Sequence, residues 1–170
     1  MAVEIIIEDV RWAPVNLADL AQRAEQATLM YFGLDPANFE ISALGGNDER
    51  LASLNANFRD KPNATNVLSW PSRDRTTEIP GAHPLLPQLG DPPDLGDIAL
   101  AYETCQCEAD AAKLELADHV LHLFVHGILH LLGYDHVTEG DAVIMERSEI
   151  EILSILGVAS PYTEPGSSLI

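Results

Sequence analysis

Short apolar runs and one amphipathic segment alternate at the start of the chain. The runs 3–10 (VEIIIEDV) and 38–44 (NFEISAL) contain β-branched residues and are bounded by polar residues and glycine, which predicts two strands. Between them, LADLAQRAEQATLMYFG at 17–33 has the apolar spacing of a helix, with Asn16 as its N-cap and Gly33 at its end. The predicted order is therefore strand, helix, strand.

The rest of the chain continues this mixture. The pattern predicts a helix over 48–58 capped by Asn47, strands over 65–71 and 95–103, a long helix over 108–132 ended by Gly133, and a helix over 138–156. Six of the eleven prolines fall in 71–94, which predicts a long surface loop. We expect one α/β domain over 1–160, with about four strands packed with helices around the 108–132 helix, and a polar tail over 161–170.

The composition is that of an ordinary globular protein, with 46% hydrophobic and 21% charged residues. The first residues, MAVEIIIEDVRW, lack a basic region and are interrupted by Glu4, so they predict a strand rather than a signal peptide. No apolar stretch has the length of a membrane span. Cys105 and Cys107 are the only cysteines, which fits a reducing compartment, and we expect a cytoplasmic protein.

The charge is unevenly distributed. The net charge of -18 argues against a protein that coats nucleic acid, because phosphate binding needs lysine and arginine. The segment 50–75 nevertheless carries +3, since its only acids are Asp60 and Asp74. Its basic residues are Arg50, Arg59, Lys61, Arg73 and Arg75. A local anion site and a solvated basic loop both remain open for this segment.

Five of the six histidines lie between residues 119 and 136. On a helix, His119, His122, His126 and His130 line one face, because they are three or four residues apart. Residues eight apart are separated by about 12 Å along a helix axis, whereas Zn–N bonds measure about 2 Å. His122 and His130 therefore cannot bind the same ion.

The stretch HGILHLLGYDH at 126–136 offers a set of three ligands. His126 and His130 are one helical turn apart, and Gly133 can reverse the chain so that His136 returns towards them. Three imidazoles with an open fourth position are typical of a catalytic zinc site. The alternative is that these histidines are ordinary core or surface residues. His119 and His122 are expected to be supporting or exposed residues, although His122 could line the pocket, and His83 is expected to be inert.

The histidine spacing matches the metalloprotease pattern HExxHxxGxxH, except that Gly127 replaces the glutamate that acts as general base. A metal ion can still activate water and polarise an oxygen, so hydrolysis of another bond is compatible with the motif. Phosphodiesters fit, because Arg59 can hold a phosphate through two parallel hydrogen bonds. The sequence identifies no general base.

Three motifs together, FRDKPNATNVLSWP at 58–71, LGDIAL at 95–100 and HGILHLLGYDH, resemble the YbeY family of rRNA maturation factors, which are single-strand-specific endoribonucleases. The resemblance implies one zinc ion on His126, His130 and His136, and contact of Arg59 with an anion. It also implies a cytoplasmic role in maturing small-subunit rRNA and in ribosome quality control, with single-stranded RNA and ribosomal components as partners and no membrane association.

The chain departs from that family in the Asn63–Ala64 pair, in Trp70 and in the long 72–94 loop. The pair puts part of the phosphate contact in question, and Trp70 is either a packing substitution or a base-stacking indole. Asp135 or Glu139 is expected to contact a metal ligand. Two other functions stay open: a noncatalytic zinc-containing ribosome assembly factor and, disfavoured by Gly127, a metalloprotease.

Overall fold

The computed structural model describes residues 2–59, 65–88 and 90–161, without the side chains of residue 2 and of residues 57–59. Its strands are β1 (Ala2–Ile7), β2 (Glu40–Gly46), β3 (Val67–Pro71) and β4 (Asp94–Ala101). Its α-helices are α1 (Leu17–Tyr31), α2 (Asp48–Arg59), α3 (Tyr102–Ala112), α4 (Leu116–Leu131) and α5 (Glu139–Ile155). Short 3₁₀ turns cover Val10–Val15 and Pro36–Asn38. None of the described helices is long and apolar enough to cross a membrane.

The four strands form one sheet in the order β1-β2-β4-β3. β1, β2 and β4 are parallel, and β3 runs antiparallel to β4 with Ser69 opposite Ile98. Parallel strands need crossover connections, and α1 carries the chain from β1 to β2. β3 lies at the edge of the sheet, where Pro71 costs no ladder hydrogen bond.

The histidine-bearing helix α4 lies in the centre of the core. Its apolar side chains, including Leu123 and Ile128, are buried with residues of α1 and of the sheet such as Ile98. The neighbouring β4 residue Ala99 belongs to a smaller cluster with Leu51 of α2. Because successive strand residues point to opposite faces, α4 and α2 cover different faces of the sheet. The predicted α/β architecture around this helix is thus confirmed.

The predicted long helix over 108–132 is wrong in its first half. The chain instead forms α3 directly after β4, and Lys113 ends α3 in the left-handed conformation at φ +58°. The Leu114 N–H then donates to the Ala109 carbonyl over 2.8 Å, which closes the helix end. The predicted strand 95–103 accordingly ends at Ala101.

Other predicted boundaries are mostly confirmed. Strand β1 stops earlier than the predicted residue 10, because the Asp9 side chain caps the following 3₁₀ turn. Asn16 precedes α1 but makes no side-chain cap, since its own backbone is left-handed. Asn47 does cap α2, accepting a hydrogen bond from the Arg50 N–H over 2.8 Å. The described residues between β3 and β4, 72–88 and 90–93, contain neither helix nor strand, as predicted, whereas Asp94, the last residue of the predicted loop, begins β4.

Candidate metal centre

The end of α4 brings three imidazoles together. His126 and His130 project from successive turns, and the chain then reverses at Gly133, whose φ is +104°. A Cβ at Gly133 would overlap the Arg75 carbonyl oxygen, so this turn requires glycine. The reversal places the His136 ring 5.3 Å from that of His130 and 5.8 Å from that of His126, measured between centroids.

The geometry of this trio fits a metal ion. The Nε2 atoms of His126 and His130 are 3.1 Å apart, and one ligand nitrogen from each of the three residues lies within 4.8 Å of the others. Tetrahedral zinc with bonds of about 2.0–2.1 Å needs ligand nitrogens about 3.3 Å apart. His136 is exposed and the other two are partly buried, so the group is open to solvent on one side. These three residues could hold one ion.

His130 has the protonation state that a metal ligand needs. Burial, together with the nearby imidazoles of His126 and His136, lowers the pKa of His130 to about 4. The imidazole of His130 is therefore neutral at neutral pH. Metal ligation requires this neutral form, so an ion would displace no proton from it.

A buried carboxylate that the sequence did not predict contacts one of the three imidazoles. Glu149 of α5 is fully buried, and its Oε1 is hydrogen-bonded to Nδ1 of His126, while its Oε2 lies 3.4 Å from Nε2 of His122. Burial alone would raise the pKa of Glu149, but the hydrogen bonds to His122 and His126 outweigh it and lower the pKa to about 2. A signal was present: Glu149 falls on the buried face of α5, with Met145, Ser148, Ile152 and Leu153.

The carboxylates named from sequence have different positions. Asp135 lines the pocket and accepts a hydrogen bond from the backbone N–H of His136 over 2.8 Å. Glu139 begins α5 and is absent from the described lining of this pocket. His119 and His122 are both buried supporting residues rather than exposed ones, and His119 pairs with Glu108 at 2.9 Å. Neither of them lines the pocket in the described structure.

The pocket beside the trio has a volume of about 370 Å³. One wall is the histidine turn, with Tyr134 and Asp135. The described residues of the other wall come from β3 and its flanks and are Thr65, Asn66, Val67, Ser69, Pro71 and Thr76. Hydroxyl and amide groups thus face the imidazoles across a space large enough for a small ligand.

A protein-family model described as Endoribonuclease YbeY matches residues 4–157. The chain belongs to the YbeY family. Among its relatives, proteins named Endoribonuclease YbeY from Ruegeria pomeroyi and Dinoroseobacter shibae are 54% and 53% identical to it. Those alignments cover 96% of this chain in both cases, and 99% and 91% of the respective relatives.

A solved structure shows the same fold. The solution structure of TM1509 from Thermotoga maritima superposes with a TM-score of 0.58 at 18% sequence identity. The match covers 89% of this chain and 87% of that protein. This structure confirms the expected fold, and the family model and the relatives confirm the family resemblance expected from the three motifs.

The described part of the basic segment of this YbeY-family chain does not form a single anion patch. Arg75 donates through Nη1 to the Leu131 carbonyl over 2.9 Å, at the end of α4, and Arg50 pairs with Glu8 at 3.1 Å. Two of the five basic side chains therefore serve internal contacts. Arg73 is exposed. The side chain of Arg59, together with Lys61 and the Asn63–Ala64 pair, lies outside the described residues.

Gly127, the position where a protease of this pattern carries its base, faces the sheet. A Cβ there would lie 3.1 Å from Cδ1 of Ile98 on β4. The glycine therefore allows α4 to approach β4 closely, and a longer side chain at this position would enter the core. In this YbeY-family fold, the missing glutamate has no place beside the three histidines.

Hydrogen bonds connect the proline-rich loop to the turn that follows α4 and to the start of α5. The Tyr134 hydroxyl is hydrogen-bonded to Nδ1 of His83 over 2.8 Å, and the Gly81 N–H donates to Asp141 over 2.8 Å. His83 is thus a structural link, which differs from the inert residue expected. Trp70 packs on the cluster of Leu51 and its neighbours, on the sheet face opposite Ser69, so it acts as a packing residue.

Proposed function

We propose that this protein is a zinc-dependent endoribonuclease that cuts single-stranded RNA within a single hydrolase domain over residues 1–160. We further propose that it acts in the cytoplasm, in rRNA maturation and ribosome quality control, together with components of the small ribosomal subunit. The observation that carries the proposal is the convergence of His126, His130 and His136 on a polar pocket. The relatives named Endoribonuclease YbeY support the choice of RNA as substrate.

The three imidazoles would hold one zinc ion through lone pairs directed at the pocket. When bound, zinc would act as a Lewis acid, lowering the pKa of a water molecule and neutralising charge on a phosphate oxygen. The low pKa of His130 keeps this ligand neutral without help from the ion. Because His136 is exposed, an ion held by the three imidazoles would remain accessible to water or to a substrate oxygen, as catalytic zinc sites require.

The opposite wall would position the RNA backbone. The side chains of Thr65 and Ser69 present hydroxyl groups, which can donate to phosphate oxygens or accept from a ribose hydroxyl. Asn66 is held by a hydrogen bond from its Nδ2 to Glu108 over 2.9 Å. We assign Arg59, at the end of α2, to the negative charge of the scissile phosphate, because a guanidinium can bind a phosphate through two parallel hydrogen bonds.

The arrangement of the ligands favours catalysis over a purely structural ion. All three lie within residues 126–136, so an ion there would connect one helix end to its own turn rather than distant segments. The same turn is already held by Arg75, His83 and the Gly133 conformation. This geometry gives a noncatalytic zinc assembly factor less support, and Gly127 facing Ile98 gives a protease none.

The test combines RNA cleavage with metal content in three variants. His126→Ala should lose zinc and cleavage of a single-stranded RNA together. Arg59→Glu should retain zinc and lose cleavage. Arg73→Glu makes the same charge change at an exposed arginine of the same basic segment, and it should keep both properties.

Contaminating ribonuclease is the main confounder of this assay, so the variants must be purified identically to the wild type. Undiminished cleavage by His126→Ala, or by wild-type protein stripped of metal, would overturn the proposed function. Equal loss in Arg59→Glu and Arg73→Glu would refute the specific role of Arg59 and point to general charge attraction.

A further inference from the structure

Glu149 contacts two histidines of α4, one through each of its carboxylate oxygens. No other described side chain bridges two of these histidines in this way. Glu149 lies on α5, with Oε1 on Nδ1 of His126 and Oε2 near Nε2 of His122. Both histidine nitrogens can be donors, and a carboxylate offers only acceptors. The contacts are therefore satisfied when His126 carries its proton on Nδ1 and His122 carries its proton on Nε2.

We propose that Glu149 is the positioning residue of the metal centre, which fixes the tautomer of His126 so that Nε2 is unprotonated and faces His130 and His136. The inference deepens the proposed function and rests on it for the presence of an ion. Nε2 of His126 is the atom 3.1 Å from Nε2 of His130, so the tautomer held by Glu149 exposes the lone pair where the ligands converge. Carboxylates that hold a ligating imidazole in this way also raise its basicity.

His122 completes the arrangement from the other side. Its side chain is buried beside Glu149 and does not line the pocket. Its Nε2 lies 3.4 Å from Oε2 of Glu149, so both carboxylate oxygens have a polar contact, which favours the position of Glu149 against His126. A buried carboxylate needs such partners in order to stay ionised.

The same three residues could instead be a second cation site, because their ligand atoms lie within 4.8 Å of one another. That arrangement would require His126 to give Nδ1 to one ion and Nε2 to another, and hence to lose both ring protons. A neutral imidazole has one proton and one lone pair, and the hydrogen bond to Glu149 uses that proton. The positioning role therefore accounts for the geometry without an unusual imidazole.

The decisive variant is Glu149→Gln, which keeps the shape but replaces one acceptor oxygen by a donor amide. The remaining amide oxygen can face only one of the two histidines, so the constraint on the His126 tautomer is weakened. The matched control is Glu25→Gln on α1, because Glu25 is likewise fully buried but has no hydrogen-bond partner among the described residues. Circular dichroism of the metal-free proteins establishes that each variant is folded.

Two measurements that need no RNA test the inference. Zinc affinity, from competition with a chromophoric chelator, should fall about 10- to 100-fold in Glu149→Gln and stay within about twofold of wild type in Glu25→Gln. Long-range proton–nitrogen NMR of the imidazoles should show His126 protonated on Nδ1 in the wild type. The same spectrum of Glu149→Gln should show a second His126 tautomer, which a mere packing change would not produce.

Unchanged zinc affinity and an unchanged His126 tautomer in folded Glu149→Gln would overturn the proposal. Two zinc ions per wild-type chain, with one lost in Glu149→Gln, would replace it by a second metal site. If Glu149→Gln fails to fold, the wild-type spectrum decides, because His126 protonated on Nε2 contradicts the proposal. Absence of RNA cleavage alongside the expected results would overturn the proposed activity and leave the role of Glu149 intact.

Discussion

Arg75 of the proline-rich loop caps the end of α4 by donating a hydrogen bond from Nη1 to the Leu131 carbonyl over 2.9 Å. This carbonyl is one of the groups that a helix end leaves without an internal partner, and the cationic donor is favourable at the negative end of the helix dipole. The contact lies between His130 and Gly133. It therefore joins the loop to the two features that shape the metal centre.

We predict that Arg75→Ala destabilises the protein by about 1.5–3 kcal/mol, because hydrogen bonds to charged groups contribute in that range. The zinc affinity should fall as well, since the turn that places His136 loses its anchor. Urea unfolding and chelator competition measure the two effects. Arg73→Ala is the control, because Arg73 is an exposed arginine of the same loop. Equal stability of the two variants would show that the Arg75 contact contributes nothing.

The buried Glu25 should make stability depend on pH. Burial raises the pKa of Glu25 to about 7, from the ordinary glutamate value of 4.5. Between these values the folded state keeps a proton that the unfolded state has released, so stability falls as pH rises from about 4.5 to about 7. Above about pH 7 the ionised carboxylate destabilises the folded state by its full amount, and below about pH 4.5 this destabilisation is absent.

Glu25→Gln should therefore gain stability relative to wild type as pH increases through that window, by at most about 3 kcal/mol. Urea unfolding at intervals between pH 4.5 and 8 gives the difference. Glu40→Gln, at an exposed strand position, should show no comparable trend. A difference between Glu25→Gln and wild type that does not vary with pH would show that folding does not raise the pKa of Glu25.

Removal of metal should leave the domain folded. The three ligands lie within one helix end and its turn, and α4 is buried in the core by apolar contacts that involve no ion. Far-UV circular dichroism should be unchanged by a chelator, while added zinc should raise the melting temperature through its binding free energy. Unfolding upon chelation would instead favour the noncatalytic assembly factor, since structural zinc contributes folding energy outright.

Substitutions at Gly127 should separate packing from chemistry. Gly127→Ala should stay within about 1 kcal/mol of wild type, because the gain in helix propensity offsets the close contact with Ile98. Gly127→Glu should cost about 3 kcal/mol or more, since it directs a carboxylate into the core. Denaturant unfolding gives both values. A stable Gly127→Glu protein with chelator-sensitive peptide cleavage would restore the protease hypothesis.

The sequence was sufficient for the parts of the site that depend on local geometry. His126 and His130 share a helix face, and Gly133 reverses the chain within three residues, so the trio required no knowledge of distant contacts. Glu149 is 23 residues from His126, and its contact depends on how α4 and α5 pack. Asp135 and Glu139 were nearer in sequence, and only Asp135 lines the described pocket.

The same distinction explains the errors in the fold. The sequence does not predict the helix break at Lys113, because a lysine in the left-handed conformation, unlike a glycine or a proline, cannot be recognised from the residue type. The apolar periodicity identifies strands but not their neighbours, so it does not predict the strand order β1-β2-β4-β3. The hydrogen bond between His83 and Tyr134 joins residues 51 positions apart, so the position of His83 in the proline-rich loop does not predict it.

The confinement of the three imidazoles to eleven consecutive positions makes the ligand set transferable as a unit, so a designed protein could accept it by exchanging one helix end and its turn. Glu149, which is hydrogen-bonded to Nδ1 of His126, belongs to α5 and would not be transferred with this segment. A transplanted copy would thus bind zinc with an imidazole free to adopt either tautomer. Restoring the native affinity would require importing a second helix with its buried carboxylate in the same register.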